Sequence, residues 1–385
     1  MKVGIVVPYS WSFWGAVVEH AELQAQALQR LGVETRTIMG NDPPGSFTRV
    51  LHPRLGRHGS PPPDVIPVGR SVIVPANASL PNIVLSPRTV PRVKMALARE
   101  RFDLIHVHEP LTPAIAVAAL SFARCPIVGT FHASGTLAWT KGAMPLWGFL
   151  LDRIDARLAV SEAARATARR YAPAEYEVVP NGVLIPPDAE PGNRTETVLF
   201  VGRHEQRKGL SVVLRAWPDI HARTGARLRV VGADPLAVRL LVARERLPTQ
   251  GVEVLGFLSQ EALTAELLAA KALVAPSLGG ESFGMVLTRA FACATPVVAS
   301  DIPGYRDVMT EDAGVVVPPG DPQVLADALV ALLGDEQRRR TLGSGARTPA
   351  LLVAQEYYAW DGIARRLVGI YEGVLGRERT PAVAA

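Results

Sequence analysis

The chain has 385 residues, 48% hydrophobic and 20% charged, with a formal net charge of +5. This suits a globular protein with large cores in two or three domains. It excludes a disulfide framework, since Cys125 and Cys293 sit beside apolar runs with no metal spacing and fit small buried hydrophobes in a reducing compartment. The first apolar run is too short for a signal peptide and is broken by Pro8, and no run approaches the ~18 apolar residues of a membrane span. The expectation is a cytoplasmic protein with at most peripheral membrane contact. The modest basic charge suits anionic lipid or a nucleotide, and nothing points to nucleic acid.

Short Val- and Ile-rich runs recur between helical stretches. In the first half they fall at residues 3–8, 35–39, 103–108, 126–132 and 156–161. In the second half they fall at 197–202, 228–232, 252–257, 272–276, 296–300 and 314–317. Near-continuous apolar runs are strands buried on both faces, which means parallel sheets, and their alternation with helices means repeated βαβ units. The Pro/Gly/Asn-rich stretch 180–193 separates two such sets. The expected architecture is α/β: two Rossmann-like, doubly wound domains facing an interdomain cleft, with ligands outside the strand carboxyl ends. The expected domains are 1–180 with a helix at about 356–376, and 181–355. Residues 41–67, dense in Pro, Gly, His and Arg, are expected as a mobile surface loop, and the tail after Arg377 as disordered.

In chain order, the chemistry-bearing segments begin with the turn after the first strand, where Tyr9 precedes Gly15 and Ala16. Residues 91–101 form a basic helix that either rests on anionic lipid or is a solvated face. His106 and His108 share one face of a strand by alternation, a metal pair without a visible third ligand. His132 ends the strand 126–132, where it either faces a ligand or is a core histidine. In the second half, Arg203, Arg207 and Lys208 lie on a strand-to-helix turn suited to a diphosphate. Glu281 follows a Gly-Gly turn and precedes a helix whose first N–H groups, near Phe283, Gly284 and Met285, are free for an anionic or hydroxylated ligand. Glu281 either accepts from ligand hydroxyls or complements the helix dipole.

The segment 279–300 resembles the donor-site motif of retaining glycosyltransferase family 4, which has the GT-B fold. The similarity extends through Val-Pro-Tyr-Ser (7–10), His-Glu-Pro (108–110), Gly-Thr-Phe-His (129–132), Ala-Val-Ser-Glu (159–162), Pro-Asn-Gly-Val (180–183) and Asp301-Ile302-Pro303. The resemblance implies a nucleoside diphosphate sugar donor, bound by Gly15, Ala16, Arg203, Lys208, Glu281, Phe283, Gly284, Met285 and Arg289. It implies catalytic roles for His132, Glu281, Arg203 and Lys208, and an acceptor side at Tyr9, Asn77, Ser79 and His108. It implies no metal and no further cofactor. Three positions depart from the family pattern: Ala16 and Ala294 stand for glycines, and Arg289 stands for a glutamate.

The implied activity is retaining transfer of a hexose, mannose from GDP-mannose first, to a glycolipid or a small polyol or sugar, with peripheral contact to anionic membrane. The alternatives are a degenerate, non-catalytic relative that binds lipid, nucleotide or protein, and a sugar-nucleotide epimerase of the same fold.

Overall fold

The computed structural model describes residues 1–52, 60–74, 81–135, 144–186, 194–348 and 358–376. They divide into two compact units, Met1–Gly182 with Trp360–Ala385, and Val183–Ala359.

In the first unit the apolar runs become mostly parallel strands, and those of β1, β6 and β7 are buried on both faces along nearly their whole length. The strands are β1 (Lys2–Ser10), β2 (Glu34–Gly40), β3 (Val65–Pro67), β4 (Ser71–Ile73), β5 (Asn82–Val84), β6 (Leu104–His108), β7 (Ile127–Phe131), β8 (Ala156–Ala159) and β9 (Glu177–Val178). Their order is β3-β2-β1-β6-β7-β8-β9, with β5 antiparallel to β1 through Tyr9 and Ile83, and β4 on β5. The order reverses between β1 and β6, and the register sets Ile5 beside His106 and His106 beside Val128. Loops after β1, β6 and β7 therefore share the carboxyl edge of the sheet, where doubly wound folds bind ligands.

The helix Trp360–Leu375 belongs to this unit although it lies at the far end of the chain. Trp360, Ile363, Ala364, Leu367, Tyr371 and Val374 are buried on one helical stripe, in a core with Val3, Ile5 and Leu28.

Residues 53–59 lie outside the described residues; the others of 41–67 are not the open loop expected. They contain the helix Ser46–Leu51 and β3, and both Asp42 and His52 are buried. Ser71 Oγ donates to Asp42 Oδ2 at 2.7 Å, His52 Nε2 donates to the Ser71 carbonyl at 2.9 Å, and the Asp42 N–H donates to Ser12 Oγ at 2.8 Å. Polar anchors without apolar periodicity hold this segment, so hydropathy carries no sign of it.

The second unit is a parallel sheet of β10 (Thr195–Val201), β11 (Arg227–Val231), β12 (Val252–Gly256), β13 (Ala270–Ala275), β14 (Val297–Ser300) and β15 (Gly314–Val317), ordered β12-β11-β10-β13-β14-β15. One face packs on Trp217, Leu325 and Leu329, and the other on Leu287, Phe291 and Tyr305. Arg194 binds the ends of two helices. Its Nη1 donates to the carbonyls of Leu267, Leu268 and Ala270, and its Nη2 to those of Cys293 and Ala294. Terminal carbonyls of Gln260–Ala269 and Met285–Ala292 are thereby satisfied. Ala294, one of the departures from the glycine pattern, is buried at φ 52°, a left-handed conformation that favours glycine.

Candidate functional site

In the second unit, loops after β10, β13 and β14 meet at the carboxyl edge. The turn after β10 carries three cations and Glu205, which pair with one another and with Glu281 of the loop after β13. Arg203 lies 3.0 Å from Glu205, Arg207 2.9 Å from Glu205 and 2.8 Å from Glu281, and Lys208 2.7 Å from Glu281. Arg207 also donates to the Gly280 carbonyl at 3.1 Å, while its own carbonyl accepts from the Leu278 N–H at 2.7 Å. The two loops are thus stitched together through one residue.

Two glycines permit the approach. Gly209 has φ +71°, and a Cβ there would lie 1.8 Å from the Pro276 carbonyl oxygen. A Cβ on Gly304 would lie 1.9 Å from the Glu281 carbonyl oxygen, so the turn after β14 lies directly against the Glu281 backbone. Burial alone would raise the Glu281 carboxyl, but Lys208 and Arg207 outweigh it and hold the group below its usual range. Glu281 is therefore an anion, half-enclosed by cations. Phe283 is buried, Gly284 caps the helix Met285–Ala292 at φ 79°, and Arg289 is half-buried further along that helix. The first-turn N–H groups at Met285 and Val286 have no intrahelical acceptor by helix geometry and offer donors to an anion.

In the first unit, Gly15 is extended (φ −166°) and caps the helix Ala16–Arg30. Ala16 is the exposed first residue of that helix and is not among the residues with positive φ, so its Cβ brings no left-handed strain. Tyr9 is half-buried at the end of β1. Asn77 and Ser79 lie outside the described residues.

His132 follows β7 and is 7% exposed. Its N–H donates to Glu109 Oε1 at 2.9 Å, and Glu109 sits at φ 51°, a strained conformation for a residue with a side chain. Burial pushes the Glu109 carboxyl up to about 7, against the N–H groups of His132 and Ala133, which favour the anion. His132 Nε2 and His108 Nδ1 are 2.9 Å apart. His108, expected on the acceptor side, is fully buried.

The rings of His106 and His108 stack at 4.7 Å, as strand alternation implied. Both nitrogens of His106 are engaged, Nε2 with Thr130 Oγ1 at 2.6 Å and Nδ1 with Tyr371 Oη at 2.6 Å. Gln24 Nε2 donates to Tyr371 Oη at 3.1 Å. His20 packs edge-on against His108, His132 and Trp360. Burial lowers all four imidazoles, His20 to about 4, His106 to about 3, and His108 and His132 well below the usual value, with neighbouring imidazoles adding to the effect on the last three.

Arg207, expected on the diphosphate turn, is there and also pairs with Glu281. Sequence reasoning assigned no role to Glu205, Glu109, His20, Gln24 or Tyr371. Glu205 and Glu109 lay inside segments singled out for their neighbours, and the others needed the pairing of β1, β6 and β7 and the return of the last helix. Cys293 is buried as expected, whereas Cys125 is half-buried; neither is in a disulfide.

Two Rossmann-like parallel sheets in one chain, each with its functional loops at the carboxyl edge, define the GT-B class of glycosyltransferases. The description "Glycosyltransferase Family 4" matches residues 17–184, and "Glycosyl transferases group 1" matches residues 195–335. The chain is 34% identical to a phosphatidyl-myo-inositol mannosyltransferase of Mycobacterium leprae, over 97% of each chain. Among solved structures it is similar to sucrose-phosphate synthase from Thermosynechococcus elongatus, with TM-score 0.71, 22% identity and coverage of 97% of this chain and 98% of that one. It is also similar to Anabaena HepE in complex with UDP and glucose, with TM-score 0.71, 20% identity and coverage of 97% and 99%. The chain belongs to glycosyltransferase family 4, and it is a sugar-transferring enzyme. Among the described residues no helix is long and apolar enough to cross a membrane.

Proposed function

We infer that the protein transfers mannose from GDP-mannose, with retention of configuration, to an inositol-bearing glycolipid or a related polyol. The observation that carries this reading is the 34% identity, along nearly the whole chain, to a phosphatidyl-myo-inositol mannosyltransferase. A neighbour of the same fold holding UDP and glucose supports a nucleotide sugar as donor.

In this reading Arg203 and Lys208 bind the donor diphosphate and neutralise the charge that develops as the glycosidic phosphate leaves. Glu281 accepts hydrogen bonds from sugar hydroxyls, and the N–H groups at Met285 and Val286 add donors. Gly15 and Ala16 bring the start of their helix to the phosphates. His132 acts at the transferring sugar in the transition state. The acceptor hydroxyl attacks the anomeric carbon from the face the phosphate leaves, the carbon–phosphate oxygen bond breaks, and the hydroxyl proton passes to the departing phosphate oxygen. No resident metal enters the sequence.

Lipid contact falls to the helix Thr89–Glu100. Met95 is 66% exposed and Val90 is exposed, among exposed Arg92, Lys94 and Arg99. The stretch 75–84 carries no Lys or Arg, so these cations would meet a lipid phosphate. Product analysis by mass spectrometry tests the reading, using GDP-mannose, UDP-glucose and ADP-glucose against vesicles with and without phosphatidylinositol and against free inositol. A mannosylated inositol lipid supports it. Transfer only from another sugar nucleotide, or only to free inositol, replaces the donor or the acceptor.

A further inference from the structure

We propose that His20, His108 and His132 form a binding site for a divalent transition metal ion of the zinc type, and that an ion held there takes His132 out of sugar transfer. The binding half stands on geometry alone. The inhibitory half rests on the role of His132 proposed above.

Three separate elements deliver the ligands: His20 from the helix Ala16–Arg30, His108 from the end of β6, and His132 from the residue after β7. Each offers one ligand atom, and these atoms lie within 4.8 Å of one another. The ring centres of the three pairs are 5.4, 5.0 and 5.2 Å apart. With metal–nitrogen bonds of about 2.0–2.1 Å, three imidazoles around a tetrahedral ion place their ring centres about 5.2 Å apart and their nitrogens about 3.4 Å apart. The rings are therefore already at the required spacing, and modest rotations bring the nitrogens to one point. His108 Nδ1 and His132 Nε2, at 2.9 Å, need only open slightly as an ion replaces the proton between them. The donor of that pair moves its N–H to its other ring nitrogen, so no net proton is released.

Gln24 and Asn181 hydrogen-bond the His20 side chain and orient its ring. The buried, unpartnered Nε2 of His108 is available to carry the ring N–H when Nδ1 takes the ion. All three imidazoles are neutral, the form that ligates. Imidazole ligands select zinc, cobalt, nickel or copper over magnesium or calcium. His106 is excluded, because its two nitrogens are taken by Thr130 and Tyr371. The apparent His-x-His pair of β6 is thus divided: one histidine is a core group, and the other joins two partners from elsewhere in the chain.

An ion on His132 fixes in place the side chain proposed above to act at the transferring sugar. The test uses the full chain stripped with EDTA and titrated with Co²⁺. The expected result is one equivalent bound with the visible absorption of tetrahedral, nitrogen-ligated cobalt, displaced by Zn²⁺. His132→Ala and His20→Ala should each weaken cobalt binding by about 100-fold or more, since loss of a ligand exceeds loss of a supporting contact. His20→Gln is the second variant should His20→Ala fail to fold, and His221→Ala, in the other unit, should keep the spectrum. Absence of the tetrahedral spectrum, or its survival in both the His20 and His132 variants, overturns the site. Zinc should abolish transfer in the wild type and EDTA should restore it, with GDP affinity unchanged by calorimetry. A bound tetrahedral ion with undiminished transfer overturns the inhibitory half and leaves the donor assignment untouched.

Discussion

The ammonium of Lys208 lies 2.7 Å from the carboxylate of Glu281, with both side chains mostly shielded from water. The group proposed to bind the diphosphate is thus held by the group proposed to bind the sugar, and Arg207 shares the same carboxylate. A donor that engages both must fit between partners already matched in charge. Its phosphates have to replace carboxylates on the cations of this loop, so each pair sets the resting position of a donor ligand.

Replacing Arg203 or Lys208 with Ala is expected to weaken nucleoside diphosphate binding and to reduce transfer by ~10²-fold or more, as loss of one transition-state charge partner does. Glu205→Gln should fall between these variants and wild type, because Glu205 binds no donor but holds Arg203 and Arg207. Calorimetry with GDP and steady-state kinetics separate the cases. Wild-type kinetics in both cation variants would remove this loop from the diphosphate site.

His132→Ala should lower turnover far more than donor affinity, the signature of an interaction made in the transition state. The quantities to compare are kcat and the GDP dissociation constant. Loss of donor affinity alone makes His132 a positioning group. A lower melting temperature with unchanged kinetics makes it a core histidine.

Arg289 stands where the family has a glutamate that meets the ribose, and an arginine has donors only. Arg289→Glu is expected to tighten GDP binding by about 1.5–3 kcal/mol, the worth of a charge-assisted hydrogen bond. Equal or weaker binding in the variant, measured with GDP and UDP side by side, gives Arg289 a role of its own.

Ala294 holds a left-handed backbone at φ 52°. Ala294→Gly relieves that conformation, worth roughly 1–2 kcal/mol, but makes the unfolded chain more flexible, which offsets part of the gain. The expected net effect is up to about 1 kcal/mol of added stability. Chemical denaturation measures it, and a clear loss of stability would assign the buried methyl a packing role that exceeds the strain.

Acid should unfold the metal-free protein steeply. His20, His106, His108 and His132 all have folded-state values below their unfolded ones. Groups of this sign contribute stability above the unfolded value near 6.5 and lose it as pH falls, by up to about 1.4 kcal/mol per pH unit for each group. Glu109 works the other way: its carboxyl is raised to about 7, so its contribution is full below the unfolded value of 4.5 and lost as pH rises through 7. Four histidines outweigh one acid, so the melting temperature in EDTA should drop from pH 6.5 downward. A flat profile between pH 7 and 5 would contradict neutral, buried imidazoles. Glu109→Gln should steepen the decline on the acid side relative to wild type, because it removes the one opposing group.

How much of this was legible in the sequence follows from what hydropathy records. The long strands were visible because residues such as Ile5, Val107 and Val298 are apolar, consecutive and buried on both faces. The short strands β3, β4 and β5 were not, since three residues carry no period. Asp42, His52 and Ser71 fasten one segment through polar contacts that composition counts as loop. Arg203, Lys208 and Glu281 were legible as charges at strand ends, but Glu205 was not, because an acid among basic residues gives no local signal. His20 looked like one position on an amphipathic helix until the sheet brought two other histidines against it.

The helix Trp360–Leu375 completes the first unit only after the whole of the second has been synthesised. Trp360 packs on His20, and Tyr371 bonds His106, so the histidine cluster lacks two of its walls until these residues leave the ribosome. The second unit, contiguous in sequence, can finish folding earlier. A nascent chain can thus own a complete second unit while its histidines are still open to water. Premature termination before residue 360 yields a protein with the charged loops of the second unit in place and the histidine cluster unfinished.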